Sequence, residues 1–512
     1  MENSFKQSMR WLHTYSGLIV GWLLFAIFVT GTTSFYRTEI NTWMKPELQY
    51  SKPSIETINI AKQKALELSN KSKIQVTLPN SRSNYISIMW FEKQKNSKKP
   101  SRVIKYYDAS TGAEITPRQT RGGDFLYRFH FELYGIPKFA GRWIISIATM
   151  SMLVAIITGI IIHSRIFKDT FTFRNKANPR GWMDAHILPA VAALPFHIMI
   201  TYSGLLLFIR LIMPWGIDAV YQNDFRTFFK DFSILKQMPM DKPSKNSSHY
   251  VLEKKNLDNI LEKANNIWPN NIGSFSIDNE NGSKIEVSPK EKSSIYSLRF
   301  DREYAIYDAK STKLIYQSKT PAGDSVVAKT HATFETLHRA RFADSFMRFI
   351  FFICGVSGIV LAGTGLILWV EKRKKKYEKK KSYGFFVVDK LNIGTIAGLF
   401  IATAAYFIAN RIIGFDIENR QNFEINIFFI VWLLSYVYAF FRNSKKAWIE
   451  QFAIASVLYL LIPIINLIIY KDGVFQRDSI YNYFDISSLI LSFIFAVGTY
   501  FLRRKYVKGA IK

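Results

Sequence analysis

The chain has 512 residues, 48% hydrophobic and 15% aromatic, with a formal net charge of +29. Its apolar residues gather in blocks of about 20, the length that crosses roughly 30 Å of hydrocarbon, which excludes an ordinary soluble protein of this size. The charge does not point to nucleic acid, because Lys and Arg crowd the short connections between the blocks.

Eight spans follow in chain order: 12–36, 143–162, 187–212, 346–370, 393–413, 425–441, 448–470 and 486–502. The first is too long for the apolar core of a signal peptide and no small-x-small cleavage site follows it, so it reads as a retained span. The basic stretches 165–180, 372–381, 442–446 and 503–512, with Lys6 and Arg10, fall on alternate sides of successive spans. The positive-inside rule then places them, and both termini, in the cytoplasm. Anionic lipid at that face is a sufficient partner for the 372–381 run.

The polar stretches 37–142 and 213–345 consequently face outward. Neither contains cysteine; the single Cys354 lies in the fourth span. No disulfide forms within the chain, and a cysteine-based metal site is excluded. Each stretch has the pattern of a small α+β unit. The first reads as a helix over 58–70 and strands over 73–78, 85–91 and 103–108, ending at the turn Asp108-Ala109-Ser110. The second reads as a helix over 257–267 and strands over 273–277, 283–287, 294–300 and 303–307, ending at Asp308-Ala309-Lys310. Equivalent places and related turns are consistent with an internal duplication. The last four spans hold no histidine and only boundary charges such as Arg411, Glu424 and Lys471. Gly394 and Gly398 form a Gly-x-x-x-Gly pattern suited to close helix packing.

The expected organisation is therefore a first span in 1–37, an outer domain in 38–128, and two spans with a short inner loop in 129–212. A second outer domain occupies 213–330, the fourth span 331–371, a basic cytoplasmic linker 372–390, and an accessory four-span bundle 391–512.

Seven of the eight histidines sit at or inside the ends of the first four spans; only His249 lies away from them. Ionisable groups in apolar spans mark function, and neutral imidazole is the commonest protein metal ligand. His13, His163 and His186 fall on the cytoplasmic side, His130, His331 and His338 on the outer side, and His197 between. On a continuous helix, His186 and His197 are about 16 Å apart and face one way; His331 and His338, two turns apart, also share a face. Histidines at two depths of a helix bundle suit stacked b-type haems, and bis-imidazole ligation suits electron passage more than oxygen binding. Gly17, Gly21, Gly31, Gly159, Gly204, Gly355, Gly358, Gly363 and Gly365 populate these spans and would let macrocycles approach the backbone. Arg142, Arg339 and Arg341 near the outer ends are placed to pair with propionates. A lone interfacial histidine is ordinarily a structural hydrogen-bonding group, which suits His163 before Ser164-Arg165. Zinc is the competing metal, with Glu132, Glu335 and Asp184 as acidic ligands.

Several stretches resemble the PepSY-associated transmembrane helix family. They are Trp11-Leu12-His13-Thr14-Tyr15-Ser16-Gly17, Phe129-His130-Phe131-Glu132-Leu133, and Thr158-Gly159-Ile160-Ile161-Ile162-His163. Asp184-Ala185-His186, Leu194-Pro195-Phe196-His197, and the run from His331 through His338 to Arg341-Phe342-Ala343 complete the set. The turns at Asp108 and Asp308 are similar to the PepSY strand–turn signature. The resemblance spans residues 1–375 or so; Tyr134, where a histidine is at home in Phe-Glu-Leu-His, departs from it. It implies an α-helical integral membrane protein with about eight transmembrane helices, a four-helix haem-binding core and two small α+β PepSY-like periplasmic domains. Members include inner-membrane reductases with two haem b groups that reduce ferric siderophores in the periplasm. Carried over, His13 and His186 hold a cytoplasmic-side haem and His130 and His338 an outer one, with His163, His197 and His331 as alternates.

No Gly-x-Gly-x-x-Gly fingerprint opens a helix after a strand, and the inner loops are too short for a flavin or nicotinamide domain. The electron donor must be external, a quinol or a cytoplasmic flavoprotein. Two rivals stand beside this reading: a peptide-binding sensor or protease regulator without haem, and an iron-chelate transporter. The latter lacks intramembrane carboxylates and matched broken helices.

Overall fold

The computed structural model describes residues 2–68, 71, 73–92, 100–163, 178–222, 224, 252–278, 284–290, 303–317, 326–470 and 479–510. His249, the strand expected over 294–300 and most of the basic stretch 165–180 lie outside them. In chain order the main elements begin with α1 (Glu2–Ser34), α2 (Arg37–Trp43), α3 (Thr57–Glu67), β1 (Lys73–Thr77), β2 (Ile86–Glu92), β3 (Ser101–Tyr107) and β4 (Glu114–Ile115). Next come α4 (Gly122–Glu132), α5 (Lys138–Ile162), α6 (Pro179–Ala192), α7 (Leu194–Leu207), α8 (Lys254–Ile267), β5 (Ile272–Asp278) and β6 (Lys284–Pro289). β7 (Ala305–Asp308), β8 (Leu314–Gln317), α9 (Val326–Arg339), α10 (Ser345–Lys379), α11 (Tyr383–Ile412), α12 (Arg420–Phe441), α13 (Ser444–Tyr470) and α14 (Ser479–Ala510) complete the chain.

The chain divides into two compact units, and the boundaries differ from those expected. One is Lys45–Arg118 with Met213–Phe342; the other is Met1–Met44, Gln119–Ile212 and Ala343–Lys512. In the first, the two polar stretches are not separate domains. They build one antiparallel eight-stranded sheet in the order β4-β3-β2-β1-β5-β6-β7-β8. The seam is β1 on β5, with Val76 opposite Phe275 and Ile74 opposite Ile277. Alternation puts these four on one face with Ile86, Ile88, Ile285 and Val287, all buried. Ala61 and Ala65 of α3 and Leu257, Ile260, Leu261 and Ala264 of α8 close over them as a single core.

Each half ends in a hairpin whose last strand, β4 or β8, is short and largely exposed and carries no apolar alternation to read. The turn chemistry makes the hairpin. Asp108 Oδ1 accepts from the backbone N–H of Ser110 at 2.9 Å and Thr111 at 2.7 Å. Asp308 Oδ1 accepts from Lys310 at 3.2 Å and Ser311 at 2.6 Å. Burial pushes the Asp108 carboxyl up, but the hydrogen bonds from Ser110 and Thr111 outweigh it and leave the group below the usual carboxylate range. Asp308 is lowered in the same way, by Ser311, Lys310 and the Lys310 charge against burial. A carboxylate whose folded pKa is depressed contributes stability above its unfolded pKa and loses it as pH falls through the folded one. Asp108→Asn and Asp308→Asn are therefore expected to flatten the loss of thermal stability below pH 3.8, measured on the solubilised protein.

In the second unit, seven helices are long and apolar enough to cross a membrane: α1, α5 and α10 to α14. The bent pair α6–α7 makes an eighth if counted as one span. The chain is a multi-pass membrane protein. The third span differs from the one expected over 187–212: it starts at Pro179 and bends by 71° between α6 and α7. Pro195 at the start of α7 has no N–H to give the carbonyl four residues back, and its ring clashes there, so the helix breaks. His186 and His197 fall on opposite sides of the break, and the shared-face argument for them fails. The basic linker expected over 372–390 is mostly helix, since α10 continues to Lys379 and α11 begins at Tyr383.

The last four spans are not an accessory. α11 is largely buried, with Gly394 and Gly398 fitted against Tyr436, Ser435 and Trp432 of α12. One core joins Leu399, Tyr406 and Phe428 of these spans to Phe25 of α1, Trp43 of α2 and Phe125 of α4. Two of the three charges expected at the boundary are buried inside, Arg411 and Glu424, with Arg420 beside them. Arg420 pairs with Glu424 and donates to the carbonyls of Gln119 at 3.1 Å and Asn410 at 2.5 Å. Asn410 and Thr120 donate to the same carboxylate at 2.7 and 2.5 Å. Arg411 lies 3.7 Å over the Trp43 ring and donates to the Trp43 carbonyl at 2.7 Å. Removing one partner of a buried pair strands the other charge. Glu424→Ala is expected to destabilise the protein by about 3–5 kcal/mol, and Arg420→Met with Glu424→Leu by much less, measured by thermal unfolding in detergent.

Candidate functional site

Three of the candidate histidines have the same local arrangement. His13 of α1 lays its ring against α5, with Nδ1 2.9 Å from the Ala155 carbonyl and 3.3 Å from Thr158 Oγ1. His186 of α6 does so against α10, with Nδ1 3.0 Å from the Leu361 carbonyl and 3.4 Å from Thr364 Oγ1. His130 of α4 does so against α1, with Nδ1 2.8 Å from the Ile27 carbonyl. Four residues after each carbonyl stands a glycine: Gly159, Gly365 and Gly31. A Cβ there would meet the ring, at 3.3 Å for His13, 3.0 Å for His186 and 2.6 Å for His130. Gly31 and Gly365, and more loosely Gly159, are therefore the openings through which an imidazole reaches helix backbone.

A carbonyl only accepts, so in all three the proton is on Nδ1. The neutral imidazole then presents its lone pair at Nε2, the tautomer of metal-ligating histidines whose other nitrogen is held by a carbonyl.

The structure brings His13 and His186 together, with ring centres 6.3 Å apart and planes at 74°. A metal–nitrogen bond is about 2 Å, so two imidazoles on opposite sides of one ion have centres roughly 6 Å apart. Edge-to-face ring contacts cover a similar range. What favours the ligand reading is that both Nδ1 atoms are already engaged with backbone. The residues therefore fit a bis-imidazole iron site. A tetrahedral zinc site is not supported: among the described residues no group of three or more His, Cys, Asp and Glu is placed to hold a metal ion. Two of the carboxylates expected to serve zinc serve arginines instead. Glu132 pairs with Arg142, and Glu335 lies 3.4 Å from Arg339 and 3.7 Å from Arg341. The same pairs occupy the three arginines expected near propionates.

The other histidines are arranged differently. His197 of α7 is buried, with Nε2 3.1 Å from Ser357 Oγ and its ring edge-on to Phe28 and Phe196. The His197 ring also donates to the Ala190 carbonyl, and Ser357 Oγ lies 2.6 Å from the Cys354 carbonyl. His163 follows α5 as its C-cap, its N–H on the Gly159 carbonyl at 3.1 Å. His331 and His338 lie two turns apart on α9, in the unit that holds the sheet.

Sequence reasoning named the histidines and missed what holds them. Thr158, Thr364 and the carbonyls of Ile27, Ala155 and Leu361 carry no signal as single residues. The glycines were expected to admit macrocycles. Instead Gly355, Gly358 and Gly363 of α10 and Gly21 of α1 seat side chains of the opposite helix, Thr32, Phe28, Phe25 and Leu366.

The model of the family described as the PepSY-associated TM region matches residues 10–372. No curated protein matches the chain.

Proposed function

Since the chain belongs to the family of the PepSY-associated TM region, we propose that it is a haem b oxidoreductase of a bacterial inner membrane. It takes electrons from a quinol or a cytoplasmic flavoprotein and delivers them to ferric iron, held by a siderophore or similar chelate, on the periplasmic side. The observation that carries this reading is the His13–His186 pair: 6.3 Å between ring centres, with both Nδ1 atoms on helix carbonyls.

A haem bound there supplies reversible one-electron iron chemistry. The chain supplies everything else. His13 and His186 would hold the iron through Nε2, and the Ala155 and Leu361 carbonyls fix their tautomer and raise their basicity. Gly159 and Gly365 let the rings sit against backbone, which holds their orientation. His130 has the same arrangement and is the proposed ligand of a second haem; its companion His338, with His331 as alternate, rests on the family resemblance. For each electron accepted, one Fe(III) becomes Fe(II), which hard oxygen ligands hold far less tightly, so the chelate lets go. Orientation follows from the basic residues, with both termini cytoplasmic and the sheet periplasmic.

One observation favours a second reading. The 71° break in the third span is a transporter-like feature. The first span, α1, is unbroken at the corresponding place, so the matched pair that such a mechanism needs is missing.

A dithionite-reduced minus oxidised spectrum of the solubilised protein is expected to show a b-type α band from about two haems per chain. His13→Ala and His186→Ala each remove the same half of that band, and the double variant removes no more. A featureless spectrum from haem-replete cells overturns the reading. In proteoliposomes with reductant inside and a ferric chelate outside, Fe(II) is expected to form outside, and His13→Ala to slow it at least about tenfold. Chelate uptake without any donor supports the transporter instead.

A further inference from the structure

The three occupied openings share more than a glycine. Each glycine follows a threonine whose hydroxyl turns back onto the helix and shares the carbonyl that the histidine uses. Thr30 Oγ1 donates to Ala26 at 2.7 Å and Ile27 at 3.3 Å. Thr158 Oγ1 donates to Val154 at 2.7 Å and Ala155 at 3.1 Å. Thr364 Oγ1 donates to Val360 at 2.6 Å and Leu361 at 3.2 Å. Ile27, Ala155 and Leu361 are the acceptors of His130, His13 and His186.

The arrangement occurs a fourth time. In α7, Ser203 precedes Gly204, and Ser203 Oγ donates to the Met199 carbonyl at 2.6 Å and the Ile200 carbonyl at 3.3 Å. Both residues are buried. The position is also the one that an internal repeat demands. Gly31 stands 18 residues after His13 on the first span, and Gly204 stands 18 residues after His186 on the third. The seats already filled obey a reciprocal rule. His13 of the first span rests on the second, and His130, just before the second span, rests on the first. His186 of the third rests on the fourth. The remaining position of that rule is on the third span.

We propose that Ser203-Gly204 is a fourth imidazole seat, in which the Ile200 carbonyl takes the Nδ1 proton of a fourth haem-ligand histidine. This rests on the haem reading above and goes beyond it, because Ser203 and Gly204 become positioning residues for the second haem. Gly159 and Gly365 then serve the haem of His13 and His186, and Gly31 and Gly204 serve the haem of His130.

The test compares haem content and the midpoint potential of each haem in the full chain. Gly204→Val is expected to remove the haem that His130→Ala removes, leaving half the wild-type content and the His13/His186 haem at its wild-type potential. Gly17→Val, at a glycine with nothing within 4 Å of its missing Cβ, is the control and keeps both. If Gly204→Val does not fold, Ser203→Ala decides. It frees the Ile200 carbonyl to accept more strongly, so one haem moves to lower potential while the other stays, and Ser203→Thr restores the value. Wild-type protein without haem overturns the functional reading. A two-haem wild type with both haems unchanged in Gly204→Val, or in Ser203→Ala where the valine variant does not fold, overturns the seat alone, as does loss of the His13/His186 haem instead.

Discussion

A single hydrogen bond, from imidazole Nδ1–H to a helix carbonyl exposed beside a glycine, decides how the histidines of this protein are used. Within a membrane span an imidazole has no water to satisfy it, so each ring nitrogen must find a partner or a ligand. The carbonyls of Ile27, Ala155 and Leu361 take one nitrogen of His130, His13 and His186. Helix carbonyls have a second lone pair, so the bond adds to the helix ladder and breaks nothing. With Nδ1 fixed, Nε2 is the only place left for chemistry. His197, also bonded to a backbone carbonyl, that of Ala190, differs in having its Nε2 3.1 Å from Ser357 Oγ.

That precision needs stiff helices, and the buried ionic cluster supplies part of the stiffness. Arg420, Glu424, Asn410 and Arg411 tie α11 and α12 to the end of α2 and to residues 119 and 120, just ahead of α4, which carries His130. Such a cluster adds little net stability over apolar packing, since desolvation offsets most of the attraction. Its effect is on geometry: the Arg420 guanidinium alone reaches Glu424 and the carbonyls of Gln119, Asn410 and Ile413, which ties several helix ends to one point. The four spans without histidine thus pack against the elements that carry His13 and His130.

The sheet shows the same economy in another form. Two stretches far apart in sequence each supply half of an antiparallel array, mirrored about the β1–β5 seam. The mirrored order and the paired Asp turns are what a duplication of one hairpin-rich unit leaves behind, and the Ser/Thr-Gly seats repeat along the spans in step with it.

The sequence alone determined the span count to within the bent pair, the membrane class, six of the eight strands and the two helices that close over the sheet, and the family. These follow from local periodicity and from motifs that lie close together in the chain, as in Phe129-His130-Phe131 or the Asp108 turn. Only the tertiary structure decided the rest. That His13 and His186 meet at 6.3 Å depends on how α1 and α6 pack through α5 and α10, and no pattern within one helix encodes it. The break at Ala193 reversed a phase argument that assumed a continuous helix. The burial of Arg420 with Glu424, and the merging of two apparent domains into one sheet, depend on partners hundreds of residues away in one case and on a shared core in the other. Periodicity tells which face of an element is apolar; which surface meets that face, and which nitrogen of a histidine remains for a ligand, are settled only when the elements are packed.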